Sequence, residues 1–374
     1  AGFKTYCKIV GEGSPGKKPL LVLHGGPGDC HNYLLTYADL ADRYGRQVIF
    51  YDQIGCGKSA IPHQDDSFYT YDLWVNEFYT VREALGLDDI HLFGNSWGGM
   101  LGMLCMMKDD TGVNSFVINS SPVRIQTWLD EANRLIQYLP ADMQKALAEA
   151  ERTGDYETPA AKAAYDEYYK RHVVGFYEKD YPQFVSDSFA GVGECYMVMQ
   201  GASEFVVTGK MKDWDIREGV KNIKVPCMAL SGTDDEGTPY TIKEGVDLIP
   251  GCEWTLIQGA PHIANATHPE ECLQAVEGFI SRFDEGRENA GAFPVHRGTR
   301  ETLRFRQPDS RCRTYGSNFS VFAQIDDVPV IRAEAPIRRT FNRGPQARLL
   351  VGNPERNIRA RCSFMSVGRH RNAP

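Results

Sequence analysis

Short, near-continuous apolar runs punctuate the first part of the chain: PLLVLHG at 19–25, RQVIFYDQ at 46–53, DIHLFGNS at 89–96 and SFVINSS at 115–121. Each is bounded by glycine or charge and lacks the polar alternation of a half-exposed strand. Strands covered on both faces, as in a parallel sheet, carry this pattern. Helical spacing fills the intervals. In TYDLWVNEFYTVREALGL, Trp74, Phe78, Val81 and Leu85 fall on one helix face. The segment WGGMLGMLCMMK, from Trp97, is apolar nearly all round and suits a helix buried against a sheet.

From residue 122 to about 222 the periodicity is helical without strands, as in TWLDEANRLIQYLP and AAKAAYDEYYKRHV. Strand-like runs return at IKVPCMALSG (223–232) and CEWTLIQG (252–259), followed by a helical PEECLQAVEGFISRF. Alternation, a helical block and renewed alternation predict an α/β fold: a mostly parallel, doubly wound sheet with an inserted helical cap. The expected core is 1–121 and 223–287, and the expected cap is 122–222. Residues 288–374 keep no period and are rich in Arg, Pro and Gly. They read as a disordered tail, or as a segment not native to the fold, in preference to a nucleic-acid arm, and no function is assigned to them.

Charge sharpens this division. The formal net charge is −8. Residues 1–287 carry 25 basic and 42 acidic side chains, whereas 288–374 carry 16 arginines, no lysine and 7 acids. So acidic a body would repel nucleic acid and anionic membrane, and neither is expected as a partner. No run approaches the roughly 18 apolar residues that span a bilayer, and AGFKTYCKIVGEG reads as a strand and not as a secretory signal. The 10 cysteines show no CxxC and no metal-ligand spacing, which suggests reduced thiols and a cytoplasmic location. GCGKS (55–59) lacks the upstream glycine of a phosphate-binding loop, since position 52 is Asp. Neither a cofactor nor a metal is implied, and oligomeric state stays open.

The candidate chemistry centres on GNSWGG (94–99). A serine hydroxyl is a weak nucleophile and needs a base, an orienting acid and donors for the oxyanion. GNSWG fits the G-x-S-x-G elbow, with a strand before it and a helix after it. One oxyanion donor is the amide of Trp97; the other comes from HGGPGDC (24–30), where Gly25 and Gly26 follow a buried strand. Acid and base should come later in the chain, in that order. GTDDEGTP (232–239) offers Asp234, Asp235 and Glu236. GAPHIANATHP (259–269) offers His262 and His268, of which His268 looks more like the start of the terminal helix.

Taken together, HGGPG, DQIGCGKS, GNSWGG, EFVVTGKMKDWD, GTDDEGTP and GAPHIANATHPEE resemble the proline iminopeptidases of the α/β-hydrolase superfamily over residues 1 to about 285. The resemblance implies a catalytic trio of Ser96, Asp235 and His262, with Gly26 and Trp97 as the oxyanion donors. It further implies that Glu204 and Glu236 hold the free N-terminus of the substrate. Ile54 departs from the family pattern, which usually has arginine there, so substrate range is open. The reading that results is a cytoplasmic serine aminopeptidase that releases an N-terminal residue, preferably proline, from short peptides. The alternatives are an amino-acid amidase or esterase on the same fold, and a catalytically silent receptor. Ser96 excludes the chemistry of elbows that carry aspartate.

Overall fold

The computed structural model describes residues 2–286, 319–325 and 328–333. Among them nine strands form one sheet. They are β1 (Phe3–Val10), β2 (Leu20–Leu23), β3 (Val48–Asp52), β4 (Ile90–Asn95), β5 (Val113–Asn119), β6 (Cys227–Gly232), β7 (Glu253–Ile257), β8 (Phe319–Ile325) and β9 (Val328–Ala333). Their spatial order is β7-β6-β5-β4-β2-β3-β1-β8-β9. Strands β2 to β7 pair in parallel, and β1 runs antiparallel to β3.

Each apolar run supplies one strand. β2 to β6 are buried along their whole length. β7 is only partly buried, and its Leu256 is 42% exposed. The stripe of Trp74, Phe78 and Val81 is buried on the helix Tyr71–Leu85. The Thr70 hydroxyl caps that helix by accepting from the Leu73 amide, and Gly86 ends it at φ 65°.

Chain order places the functional crevice. From β2 the chain moves to one side for β3 and then crosses to the other side of β2 for β4. Loops leaving the carboxyl ends of β2 and β4 therefore diverge, and such a switch point opens a crevice for ligand. The segment GGPG follows β2, and Ser96 follows β4.

Between β5 and β6 the chain builds the helices Ile125–Ile136, Ala141–Thr153, Pro159–Tyr168, Gln183–Phe189 and Cys195–Met199. Its entry and exit are pinned together by an antiparallel bridge of Arg124 with Asp215. The Ile125 amide donates to the Trp214 carbonyl at 3.0 Å and the Ile216 amide to the Val123 carbonyl at 2.9 Å. The insertion is thereby fixed at its base.

The segment 288–374 departs from its expectation in one place. Within it, β8 pairs in parallel with β1 from Phe3↔Phe319 to Ile9↔Ile325, and β9 returns antiparallel. The 7 residues of β8 and 6 of β9 extend the sheet past β1; the remainder of the expected tail lies outside the described residues. Among the described residues no helix is long and apolar enough to cross a membrane.

Candidate active site

Ser96 sits where β4 turns into the helix Trp97–Lys108, at φ 54° and ψ −123°. That backbone conformation costs about 1–3 kcal/mol and persists only where its surroundings hold it. Here the Ser96 amide donates to the Asn119 carbonyl at 2.8 Å, and its carbonyl accepts from Gly99 at 3.0 Å and Met100 at 3.1 Å. The glycine two residues on is required by packing, because a Cβ on Gly98 would lie 2.2 Å from the Leu23 carbonyl oxygen. The helix thus approaches β2 closely. Trp97 occupies its first turn, where amides have no intrahelical acceptor.

The loop after β2 brings up the facing wall. Gly26 has φ 112°, a value that L side chains rarely adopt. The Gly25 amide donates to the Tyr33 hydroxyl at 2.8 Å, which commits it and leaves the Gly26 amide as the loop's candidate donor. The Tyr33 hydroxyl in turn donates to Asn95 Oδ1 at 2.6 Å, and Asn95 Nδ2 donates to Asn119 Oδ1 at 3.0 Å. One polar chain therefore links the Gly25–Gly26 loop to the ends of β4 and β5.

A second chain holds the same loop from beneath. The Gln53 amide donates to His24 Nε2 at 2.9 Å, so the proton of that ring is on Nδ1, which donates to the Gly25 carbonyl at 3.0 Å. Burial holds the His24 imidazole down at about 4, and it stays neutral. Gln53 also donates to the His24 carbonyl and accepts from Trp97 Nε1, both at 2.8 Å. Tyr33, Gln53 and Asn95 were not singled out by the sequence. For Gln53 the local signal is the Asp-Gln pair at the end of β3; Tyr33 and Asn95 have none.

Of the three adjacent acids, Asp235 is the one that meets the histidine. Its Oδ1 accepts from His262 Nδ1 at 2.8 Å and from the Gly237 amide at 2.7 Å. Asp235 is 1% exposed, whereas Asp234 is exposed. His268 lies apart, preceding the helix Pro269–Ile280. The insertion fastens the loops that carry Asp235 and His262 through one backbone group: the His172 carbonyl accepts from the Glu236 amide at 3.1 Å and from the His262 amide at 2.9 Å. Trp128, from its first helix, packs edge-on against the His262 ring with centroids 5.3 Å apart.

Ser96, His262, Gly26, Glu204 and Glu236 all border one cavity of about 310 Å³. Tyr165, Tyr169, Phe189 and Tyr196 supply its aromatic side. Trp97 borders a smaller recess beside Ser96 and Gly26. Glu204 accepts from the Tyr196 hydroxyl, and Gln200 Nε2 lies 3.4 Å from its Oε2. Glu236 is 3% exposed, and its Oε2 has no hydrogen-bond partner among the described residues. Burial raises both carboxyls above their ordinary range. For Glu236 the charges of Glu204 and Asp235 push further in the same direction; for Glu204 the Tyr196 hydroxyl and His262 oppose the rise. Neither glutamate has a cationic partner among the described residues.

Ile54 does not border this cavity. It is fully buried, with its amide donating to Glu77 Oε2 at 2.9 Å and its carbonyl accepting from Trp74 Nε1 at 3.3 Å. Among the described residues no group of three or more His, Cys, Asp or Glu side chains is arranged to hold a metal.

Comparison with known proteins agrees with this architecture. A family profile described as the alpha/beta hydrolase fold matches residues 18–269. A proline iminopeptidase of Lactobacillus delbrueckii subsp. lactis is 40% identical over 263 residues, which is 70% of this chain and 89% of that protein. One from Lacticaseibacillus rhamnosus is 38% identical over 283 residues, 75% of this chain and 96% of its own. The crystal structure of a Mycobacterium smegmatis proline iminopeptidase superposes with a TM-score of 0.71 at 36% identity, covering 75% of this chain and 95% of that one. The chain therefore belongs to the proline iminopeptidase family of α/β-hydrolase-fold proteins.

Proposed function

We propose that the protein is a serine aminopeptidase that releases an N-terminal residue, preferably proline, from short peptides in the cytoplasm. The observation that carries this reading is a single cavity bordered by Ser96, by His262, which bonds to Asp235, and by two glutamates that have no cationic partner among the described residues. A prolyl N-terminus is a cation with two N–H donors, and the two carboxylates accept one each. A charge-assisted bond of this kind contributes about 1.5–3 kcal/mol. An N-blocked peptide leaves the buried acids uncompensated, which is why a free terminus is required.

With the terminus so held, Ser96 Oγ attacks the scissile carbonyl while His262 Nε2 takes its proton. Asp235 keeps the ring's other proton on Nδ1 and stabilises the imidazolium. The Gly26 and Trp97 amides receive the oxyanion, and each such donor is worth about 10²–10³ in kcat. His262 then protonates the leaving amine, and water repeats the sequence on the acyl-enzyme. The insertion restricts access, favouring short peptides over folded proteins. The cytoplasmic location is supported by the cysteines of the described residues, which are all free thiols.

Assay of prolyl and leucyl arylamides beside a simple aryl ester tests the reading. Prolyl arylamide should be the best amide substrate, and Ser96→Ala should lower its turnover by about 10⁴-fold or more. Turnover of the ester alone would support the esterase alternative.

A further inference from the structure

A third acid borders the cavity. Asp29 lies on the loop after β2, three residues beyond Gly26, and is 9% exposed. Its Oδ1 is fully engaged, accepting from Ser188 Oγ at 2.6 Å and from the Cys30 amide at 2.8 Å. Its Oδ2 takes no hydrogen bond among the described residues, and no described cation pairs with it. Burial, opposed by those two bonds, lifts the carboxyl to about 6, which leaves it mostly ionised at neutral pH. A nearly buried carboxylate charge that faces substrate space without a cation is costly unless a ligand supplies one.

This acid is separate from the glutamate pair. Glu236 feels the charges of Glu204 and Asp235, whereas the neighbouring acid that acts on Asp29 is Asp52. The free N-terminus, on the reading proposed above, is taken by the glutamates. Only one residue lies on the acyl side of the scissile bond, and proline has no side-chain cation. A second positive group must therefore come from the leaving portion.

We propose that Asp29 determines specificity for the residue after the scissile bond, recognising the side-chain cation of lysine or arginine. The inference rests on the aminopeptidase reading. Its test compares kcat/KM for Pro-Lys-amide, Pro-Gln-amide and Pro-Glu-amide, whose amidated ends remove the terminal carboxylate. In the wild-type enzyme Lys should exceed Gln by about tenfold, with Glu the poorest. In Asp29→Asn, which retains an acceptor for Ser188 and Cys30, the Lys-to-Gln ratio should collapse to within about twofold of one. A merely structural role for Asp29 would lower all three together and leave the ratio untouched, which would overturn the assignment. Should the variant not fold, the wild-type panel alone decides: equal rates on Lys and Gln overturn it. Prolyl arylamide, assayed alongside, has no second residue. Turnover of it without a Lys preference refutes Asp29 alone; no turnover of any prolyl substrate refutes the aminopeptidase reading and this inference together.

Discussion

At the scale of the residue, the site is an arrangement of groups held against their solution preferences. Ser96 is kept at φ 54°, His24 is kept neutral by burial, and the Glu236 carboxyl is held well above its ordinary range. That last state has a measurable consequence. Burial first, then the charges of Glu204 and Asp235, holds the Glu236 carboxyl high, which favours its protonated form. A cationic N-terminus seated between the two opposes that rise and lowers the carboxyl pKa, which favours release of a proton. In an inactive Ser96→Ala background, calorimetry of L-prolinamide binding in two buffers of different ionisation heat should register net proton release. Adding Glu236→Gln should reduce that release, and an identical proton count in both proteins would argue against the pair.

Positions such as Ser96, Asp235 and His262 were legible because each follows a strand end, where local glycine and chain order mark it. Choosing Asp235 over Asp234 from the residues alone was impossible, since adjacent acids differ only in which way the loop turns them. Tyr33 and Asn95 were illegible for another reason: their partners lie 62 and 24 residues away, and no local pattern encodes such a contact.

At the scale of the element, the helix Pro269–Ile280 follows the His262 loop and must be held firmly to the sheet. The fully buried Arg46 does this. It donates to Glu277 at 2.7 and 3.0 Å and to Asp284 at 2.9 and 2.8 Å. Removing one partner from such a cluster leaves uncompensated charge, so Arg46→Ala should cost about 3–5 kcal/mol in urea unfolding. The cluster also sets an acid limit. Burial alone would raise the Asp284 carboxyl, but bonds from His91, Arg46 and the Lys18 amide outweigh it and hold it well below the usual range. A depressed folded-state pKa contributes stability above the unfolded value of about 3.9 and loses it as pH falls below. Arg46→Ala should therefore flatten the acid limb of the stability curve; an unchanged limb would show the cluster is not responsible.

Elements were the most legible level. Buried parallel strands such as β4 and β5 are short, wholly buried and mostly apolar, and that pattern survives without tertiary knowledge. β8 was missed because its seven residues sit in an Arg-rich, aperiodic setting, and the edge of β1 that it pairs with has no sequence signature.

At the scale of the whole molecule, the site exists only where three distant parts of the chain meet. The β2–β4 crevice supplies Gly26 and Ser96, the late strands supply Asp235 and His262, and the insertion supplies Glu204 together with the His172 carbonyl that ties both late loops. Glu204 was readable only through the family resemblance, since an acid in an irregular segment looks like surface charge. The central claim is that this meeting of parts reads a free, cationic N-terminus before it cuts. The most direct measurement is kcat/KM on a prolyl arylamide and on its N-acetyl counterpart with the same enzyme preparation. The account expects acetylation to lower kcat/KM by about 10²-fold or more, the loss of two charge-assisted bonds. Equal rates on the two substrates would contradict it.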